Sequence, residues 1–237
     1  MFHFPKKILV KIMSKILYTI GDSFTYGDEL ENPEIECYPY LLSQKLGCEL
    51  VNEALPAASN DWMFRKTVQW ISNQNLDDIF MVIVGWSNPH RREENFDFYW
   101  GGTVKYFDRW NWWNQGEHKT ISKFISKYLW NSQLSYFKSF TYILTLQEFL
   151  KSKNIKYLFY DPFVNLLQQD NWYYEDMIKD TNMEKVIDSI DKRFFIGPEI
   201  DGKCVVDGQT KENSVTGRHP NADEHKWLSE KLYDIIS

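Results

Sequence analysis

The fold of this chain is decided by residues 16–23, Ile16-Leu17-Tyr18-Thr19-Ile20-Gly21-Asp22-Ser23. The first five residues of this stretch form a short apolar run that stops at Gly21, which is typical of a buried strand. Two polar residues, Asp22 and Ser23, follow the glycine directly. Ligands of α/β domains bind beyond the carboxyl ends of the parallel strands, so this turn is the first place to expect a site.

Four further segments repeat the pattern of a short apolar run between helical segments. Strands are predicted over Cys48–Asn52, Ile79–Val84, Ile155–Tyr160 and Arg193–Ile196. Apolar residues at helical spacing predict helices over residues 35–46, 61–74, 119–130, 133–152, 181–191 and 221–235. Short strands that alternate with helices predict an α/β fold with a parallel sheet of about five strands.

The size and composition are those of one globular domain. The chain has 237 residues, of which 43% are hydrophobic and 25% are charged, and single α/β domains often exceed roughly 200 residues. We interpret residues 13–237 as a single domain with an insertion at about 86–130, and residues 1–12 as an N-terminal extension.

Charge and hydropathy argue against several classes of partner. The 33 acidic and 27 basic side chains give a net charge of −6, which argues against nucleic-acid binding. No apolar run approaches the roughly 20 residues of a membrane span, and the apolar run at residues 8–10 is too short for a secretion signal. We therefore expect a cytoplasmic protein, or one otherwise without a recognisable secretion signal, and the oligomeric state stays open.

Ser23 and His219 are the candidate nucleophile and base. A serine just past a strand lies at the sheet edge beside the backbone amides of the next turn, which suits a nucleophile with an oxyanion site. His219 precedes the last predicted helix and can reach a serine at a strand end. The alternative is that Ser23 only caps a helix or occupies a turn. His225 is interpreted as structural or exposed, because its spacing from His219 does not suit a two-histidine zinc site.

Two motifs near the ends of the chain resemble a known family. The SGNH (GDSL-type) hydrolases carry motifs similar to GDSFTYG, residues 21–27, and HPNADEH, residues 219–225. The family consists of esterases and acyl hydrolases on a flavodoxin-like, three-layer α/β/α fold. The resemblance implies that Ser23 is the nucleophile, that His219 is the general acid and base, and that the reaction needs no metal and no cofactor.

The resemblance also implies an oxyanion hole, where this chain departs from the family pattern. The backbone amide of Ser23 is the first donor. In the family a glycine amide is the second donor, and Ala57 stands at that position here. An alanine amide can donate in the same way, unless the position requires a positive φ. The third is an asparagine in a Gly-x-Asn motif, and here Gly85-Trp86-Ser87-Asn88 places Ser87 in register and Asn88 one residue later. Either side chain is a candidate donor, or the segment is simply a turn.

The largest departure concerns the acid of the catalytic triad. The family places an aspartate three residues before the histidine, and Thr216 stands at that position here. Asp207 and Asp223 are near in sequence but lack the family spacing. Three possibilities follow: a backbone carbonyl orients His219, an acid comes from elsewhere in the fold, or the protein is catalytically weak.

The insertion at 86–130 is rich in aromatic residues. Five of the ten tryptophans lie between residues 100 and 130, namely Trp100, Trp110, Trp112, Trp113 and Trp130. Such rings could stack on sugar faces, hold a long loop to the body or fill a subunit contact. We predict Asp22, Trp86 and Arg91 as substrate contacts, with Arg91 suited to an anionic group unless it pairs with the glutamates that follow it.

The favoured interpretation is a serine esterase that cleaves a carboxylic ester through an acyl-enzyme. The expected partner is a small-molecule or glycan ester, with O-acetyl groups on carbohydrate as the suggested class. The alternative is a catalytically weak or inactive module that binds or assembles through its aromatic insertion. A flavodoxin-like nucleotide binder is disfavoured, because the sequence has no glycine-rich phosphate loop.

Overall fold

We describe the protein from a computed structural model, over residues 15–89, 91–95, 104–107, 128, 131–162, 181–197, 199–200, 203–204 and 219–237. Several predictions lie outside these residues: the extension at 1–12, nearly all of the helix at 119–130, Asp207, Thr216, and the five tryptophans between 100 and 130. Within the described residues, none of the helices combines the length and the apolar character that a membrane crossing requires.

A five-stranded parallel sheet forms the centre of the protein. Its strands are β1 (Ile16–Ile20), β2 (Glu49–Asn52), β3 (Ile79–Gly85), β4 (Tyr157–Tyr160) and β5 (Phe195–Ile196). They lie in the order β2-β1-β3-β4-β5, and every neighbouring pair is parallel. The predicted α/β fold is therefore confirmed, and the carboxyl ends of the strands meet at one edge of the sheet.

Helices cover both faces of the sheet. They are α1 (Ser23–Tyr26), α2 (Pro33–Glu36), α3 (Tyr38–Leu46), α4 (Asn60–Ser72), α5 (Ser132–Ser152), α6 (Thr181–Asp188) and α7 (Ala222–Ile236). Successive strand side chains point to opposite faces, so Leu17 packs with α3 and α7 while its neighbour Tyr18 packs with α4 and α5. The result is a three-layer α/β/α domain with one hydrophobic core on each side of the sheet.

The helix predicted over 35–46 is in fact two helices that break at Cys37. Cys37 is extended, with φ −65° and ψ 148°, and Pro39 lies in the first turn of α3. A proline in the first turn sacrifices no helical hydrogen bond, whereas the same proline in the interior of one long helix would disrupt it. The chain therefore restarts the helix at Tyr38.

The 86–130 insertion contains a hairpin that the sequence pattern does not predict. Residues Arg92–Asn95 pair antiparallel with Val104–Phe107. This hairpin follows β3 directly, so it leaves the sheet at the edge where the carboxyl ends of the strands meet.

The carboxyl ends of β1, β3 and β4 pack closely beneath α1. The hydroxyls of Thr25 and Tyr160 are hydrogen-bonded at 2.8 Å. A Cβ atom added to Gly21 would lie 2.6 Å from Thr25 Cβ, and one added to Gly85 would lie 2.6 Å from the Tyr160 hydroxyl. The two glycines therefore allow α1 to sit directly on the sheet edge, which fixes the position of the turn that carries Ser23.

Candidate active site

The candidate nucleophile lies on α1, a single helical turn that starts at the carboxyl end of β1. Asp22 caps this turn, because its Oδ1 accepts a hydrogen bond from the Phe24 amide at 3.1 Å. The Ser23 carbonyl accepts from the amides of Gly27 and Asp28, each at 3.0 Å. The cap of the helix is therefore Asp22 and not Ser23. Ser23 is the first helical residue, where a backbone amide has no acceptor within its own helix.

The second carboxylate oxygen of Asp22 lies in a buried polar network. Asp22 Oδ2 accepts hydrogen bonds from Ser87 Oγ at 2.8 Å and from Arg91 Nη1 at 2.6 Å. Arg91 Nη1 also donates to Ser87 Oγ at 2.7 Å. Complete burial raises the pKa of the Asp22 carboxyl, and the positive charge of Arg91 opposes that rise. The charged form of Asp22 therefore depends on Arg91.

Ser87 is held in place by Asn60, a residue for which the sequence predicts no role at the site. Asn60 Oδ1 accepts from the Ser87 amide at 2.7 Å, and Asn60 Nδ2 donates to the Ser87 carbonyl at 2.9 Å and to Ser139 Oγ at 3.1 Å. The only signal in the sequence is an asparagine at the start of a helix, and this signal is weak because asparagine is a common helix cap.

The Ser87 hydroxyl, a predicted candidate donor to the oxyanion, is instead hydrogen-bonded to Asp22. A hydroxyl has one hydrogen to donate, and Ser87 donates it to Asp22. Asn88, whose carbonyl accepts from the Arg91 amide at 3.0 Å, is left as the side-chain candidate for the oxyanion hole.

Ala57 lies in the loop between β2 and α4 with a φ of 63°. This is the left-handed region, which favours glycine and carries a steric penalty for any residue with a Cβ atom. The loop is closed by a hydrogen bond from the Ala58 amide to the Leu55 carbonyl at 3.0 Å, and the Leu55 amide is tied to the Gly21 carbonyl at 3.1 Å. Position 57 thus has a left-handed backbone, which a glycine would adopt at lower cost than the alanine found here.

Replacement of Ala57 by glycine is therefore expected to stabilise the protein by about 0.5–1 kcal/mol. Glycine removes the steric penalty, but it also raises the conformational entropy of the unfolded chain, which offsets part of the gain in stability. Denaturant titration measures the change. Ala58→Gly is the matched control, because Ala58 is fully buried without a positive φ, and this variant should lose stability. A loss in Ala57→Gly as well would contradict the assignment of strain.

His219 lies over the turn that carries Ser23. The ring centroids of His219 and Phe24 are 5.5 Å apart. His219 Nδ1 lies 3.3 Å from Glu29 Oε1, and His219 Nε2 lies 3.9 Å from Asp28 Oδ2. The fold therefore brings the predicted base, from the far end of the chain, to the residues that follow the predicted nucleophile.

The position of His219 depends on α7, which begins three residues later. Asn221 and Glu224 form a reciprocal capping box at the start of this helix. His225 Nδ1 accepts a hydrogen bond from the Tyr38 amide at 3.1 Å and so joins α7 to the start of α3. Burial, and to a lesser extent the nearby His219, lower the pKa of His225 to about 4. His225 is therefore neutral near pH 7 and has a structural role.

Two of the three predicted substrate contacts are fully buried. Trp86 packs edge-on against Phe159 with ring centroids 5.4 Å apart, and its amide donates to the Tyr160 carbonyl at 2.9 Å. These contacts give Trp86 a role in the core, and Asp22 a role in capping and charge pairing, in place of the predicted contact with substrate. The third, Arg91, keeps 14% of its side chain exposed.

Solved structures with this fold include esterases. The psychrotrophic esterase EstA from Pseudoalteromonas sp. is 11% identical, with a TM-score of 0.53 over 94% of this chain and 97% of that chain. TesA is 10% identical, with a TM-score of 0.53 over 94% and 98% of the two chains. The acetyl xylan esterase AlAXEase is 12% identical, with a TM-score of 0.50 over 94% and 100%. The architecture is thus a three-layer α/β/α fold that this chain shares with these solved structures.

At the level of sequence, the chain belongs to a family of unknown function, DUF6071, which it matches over residues 25–236. No curated protein has a significantly similar sequence. The likeness to esterases is one of fold, and a shared fold does not by itself establish an activity.

Proposed function

We propose that this protein is a serine hydrolase that cleaves carboxylic esters, with Ser23 as nucleophile and His219 as general acid and base. The packing of His219 against Phe24, the residue next to Ser23, carries this proposal. A serine and a histidine that converge at the end of the first strand are the two groups that acyl transfer through a covalent intermediate requires. The esterase fold supports the same reaction class.

The reaction proceeds in two halves. Ser23 Oγ attacks the ester carbonyl carbon while His219 takes the hydroxyl proton, and the tetrahedral intermediate collapses when His219 returns this proton to the departing alcohol. Water then attacks the acyl-enzyme, again with His219 as base, and the carboxylic acid leaves as Ser23 regains its proton. The amides of Ser23 and Ala57, together with Asn88, stabilise the negative oxygen of both intermediates.

The substrate class that fits best is an O-acetylated carbohydrate. Residues 100–130 of the insertion hold half of the tryptophans of the chain, and flat aromatic rings are suited to packing against sugar faces. One protein with this fold is an acetyl xylan esterase. Release of acetate from acetylated glycans, compared with release from simple acetyl esters, tests this part of the proposal.

Labelling with a fluorophosphonate probe tests the proposed nucleophile. The folded wild-type protein is expected to be labelled, Ser23→Ala should lose the label, and His219→Ala should react at least about a hundredfold more slowly because the serine loses its base. Ser43→Ala is the matched control, because Ser43 is a buried serine that bonds to the Tyr40 carbonyl in α3. Label that persists in Ser23→Ala would overturn the assignment.

One observation favours a second candidate, a binding module that keeps the fold but has little activity. The Ser87 hydroxyl is donated to Asp22, so the third oxyanion donor depends on Asn88 alone; if Asn88 does not supply it, the rate falls about 10²- to 10³-fold. Folded wild-type protein that stays unlabelled would favour this alternative. In that case the aromatic insertion should be examined for glycan binding, and Ser23→Ala should leave that binding intact.

A further inference from the structure

The turn that follows the nucleophile has an unusual backbone at Glu29. Gly27 has a φ of 86° and Glu29 a φ of 70°, and glutamate rarely occupies this left-handed region. Hydrogen bonds hold the turn on both sides: the Asp28 amide donates to the Ser23 carbonyl at 3.0 Å, and the Leu30 amide donates to the Gly27 carbonyl at 3.2 Å. The direction of the Glu29 side chain is therefore set by the same short segment that positions Ser23.

This backbone directs the Glu29 carboxylate to His219. Glu29 Oε1 lies 3.3 Å from His219 Nδ1. The histidine side chain is only 18% exposed, while that of Glu29 is 37% exposed, so the imidazole is mostly enclosed and the carboxylate reaches it from the solvent side. A carboxylate at Nδ1 is the relation that a triad acid has to its histidine.

We propose that Glu29 is the acid that orients His219, so that the nucleophile and the acid come from one segment of seven residues, 23–29. This inference rests on the proposed function. At 3.3 Å the contact is an ion pair without the alignment of a hydrogen bond. A turn of the imidazole toward Glu29 would let the carboxylate accept the Nδ1 hydrogen, which would keep Nε2 free of a proton and able to take the proton of Ser23. When His219 is protonated during the reaction, the Glu29 charge stabilises the imidazolium. Glu29 is thus a positioning residue, and it takes the role for which Thr216 is unsuited.

Asp28 is less suited to this role than its neighbour. Asp28 Oδ2 lies 3.9 Å from His219 Nε2, which is too long for a hydrogen bond. A partner at Nε2 would also compete for the nitrogen that has to face Ser23. Asp223, which is near His219 in sequence, is exposed in the first turn of α7. The geometry therefore favours Glu29 among the described carboxylates near His219.

The test compares Glu29→Gln with wild type by two measurements. The first is the rate of fluorophosphonate labelling, which should fall by about 10²- to 10⁴-fold when the carboxylate becomes an amide. The second is ¹⁵N NMR of the His219 ring in its neutral form, which should report hydrogen on Nδ1 in wild type and a shift toward hydrogen on Nε2 in Glu29→Gln. A purely structural role for Glu29 would not move the tautomer.

Two further variants separate Glu29 from its neighbours. Glu31→Gln removes the same charge from an exposed residue of the same loop and should label at the wild-type rate. Asp28→Asn should slow labelling less than Glu29→Gln does. Because more than a third of the Glu29 side chain is exposed, the glutamine variant is expected to fold, and circular dichroism checks this.

The outcomes distinguish this inference from the proposed function. If wild type is labelled and Glu29→Gln matches it in rate and tautomer, Glu29 is not the acid although Ser23 remains the nucleophile. If Asp28→Asn has the larger effect, the inference is also overturned. If wild type is not labelled, the proposed esterase activity fails, and the tautomer alone then decides whether Glu29 orients His219.

Discussion

Arg91→Met should destabilise the folded protein by about 3–5 kcal/mol, because it leaves the carboxylate of Asp22 buried without its counter-ion. Asp22 is fully buried. Among the described residues its only charged partner is Arg91, whose Nη1 lies 2.6 Å from Asp22 Oδ2. Without that charge, Asp22 must either remain ionised in a dry environment or take up a proton, and both cost free energy. Urea titration at neutral pH measures the loss.

Two controls connect this loss to the buried pair. Arg193→Met removes an arginine that is also paired with an aspartate, but whose side chain is 80% exposed, and it should change stability little. Adding Asp22→Asn to Arg91→Met removes the unpaired charge and should recover part of the stability. A variant Arg91→Met as stable as wild type would show that Asp22 does not depend on Arg91.

Gly21→Ala should cost about 3 kcal/mol or more, because its Cβ atom would overlap a side chain that cannot move away. The new carbon would lie 2.6 Å from Thr25 Cβ and 3.1 Å from the Gly85 carbonyl oxygen. Thr25 is held by its hydrogen bond to Tyr160, so relief requires α1 to lift away from the sheet. Thermal and urea unfolding measure the loss.

Gly47→Ala is the matched control for this variant. A Cβ atom at Gly47 has no neighbour within 4 Å, but Gly47 has a φ of 66°. Its replacement should therefore cost only the backbone penalty of about 1–2 kcal/mol. Equal losses in the two variants would contradict the close contact between α1 and the sheet.

Most of the sheet could be predicted because its three central strands, β1, β3 and β4, are buried on both faces. Such strands are continuous apolar runs, and the glycines at positions 21 and 85 mark their ends. The break at Cys37 was missed because Pro39 acts on helix geometry, whereas the apolar spacing runs across it without interruption. The hairpin after β3 was missed because its residues alternate poorly between apolar and polar.

The site could be predicted only in part, because motifs identify residue types and not their neighbours in space. The sequence placed Ser23 and His219 at one sheet edge, and the fold brings His219 over the turn of Ser23. The sequence alone could not show that Ser87 donates its hydroxyl to Asp22, or that Asn60 holds the Ser87 backbone, because these contacts join residues from separate strand ends. Glu29 was missed for a different reason: its direction depends on a left-handed backbone that no residue pattern specifies.

The hydrogen bond from the Tyr38 amide to His225 joins α7 to the start of α3, so the position of His219 depends on the docking of α7. The proposed nucleophile, Ser23, lies on α1 at the end of the central sheet, whereas the proposed base, His219, lies just before α7, whose Leu228 and Leu232 pack against one face of that sheet. A helix that packs against one face of a sheet can open locally while the sheet stays folded. Ser23 and His219, the proposed catalytic pair, would then separate and re-form as α7 undocks and docks, so the fraction of molecules able to react would equal the docked fraction. The proposed activity should therefore disappear at a lower denaturant concentration than the circular-dichroism signal of the folded domain.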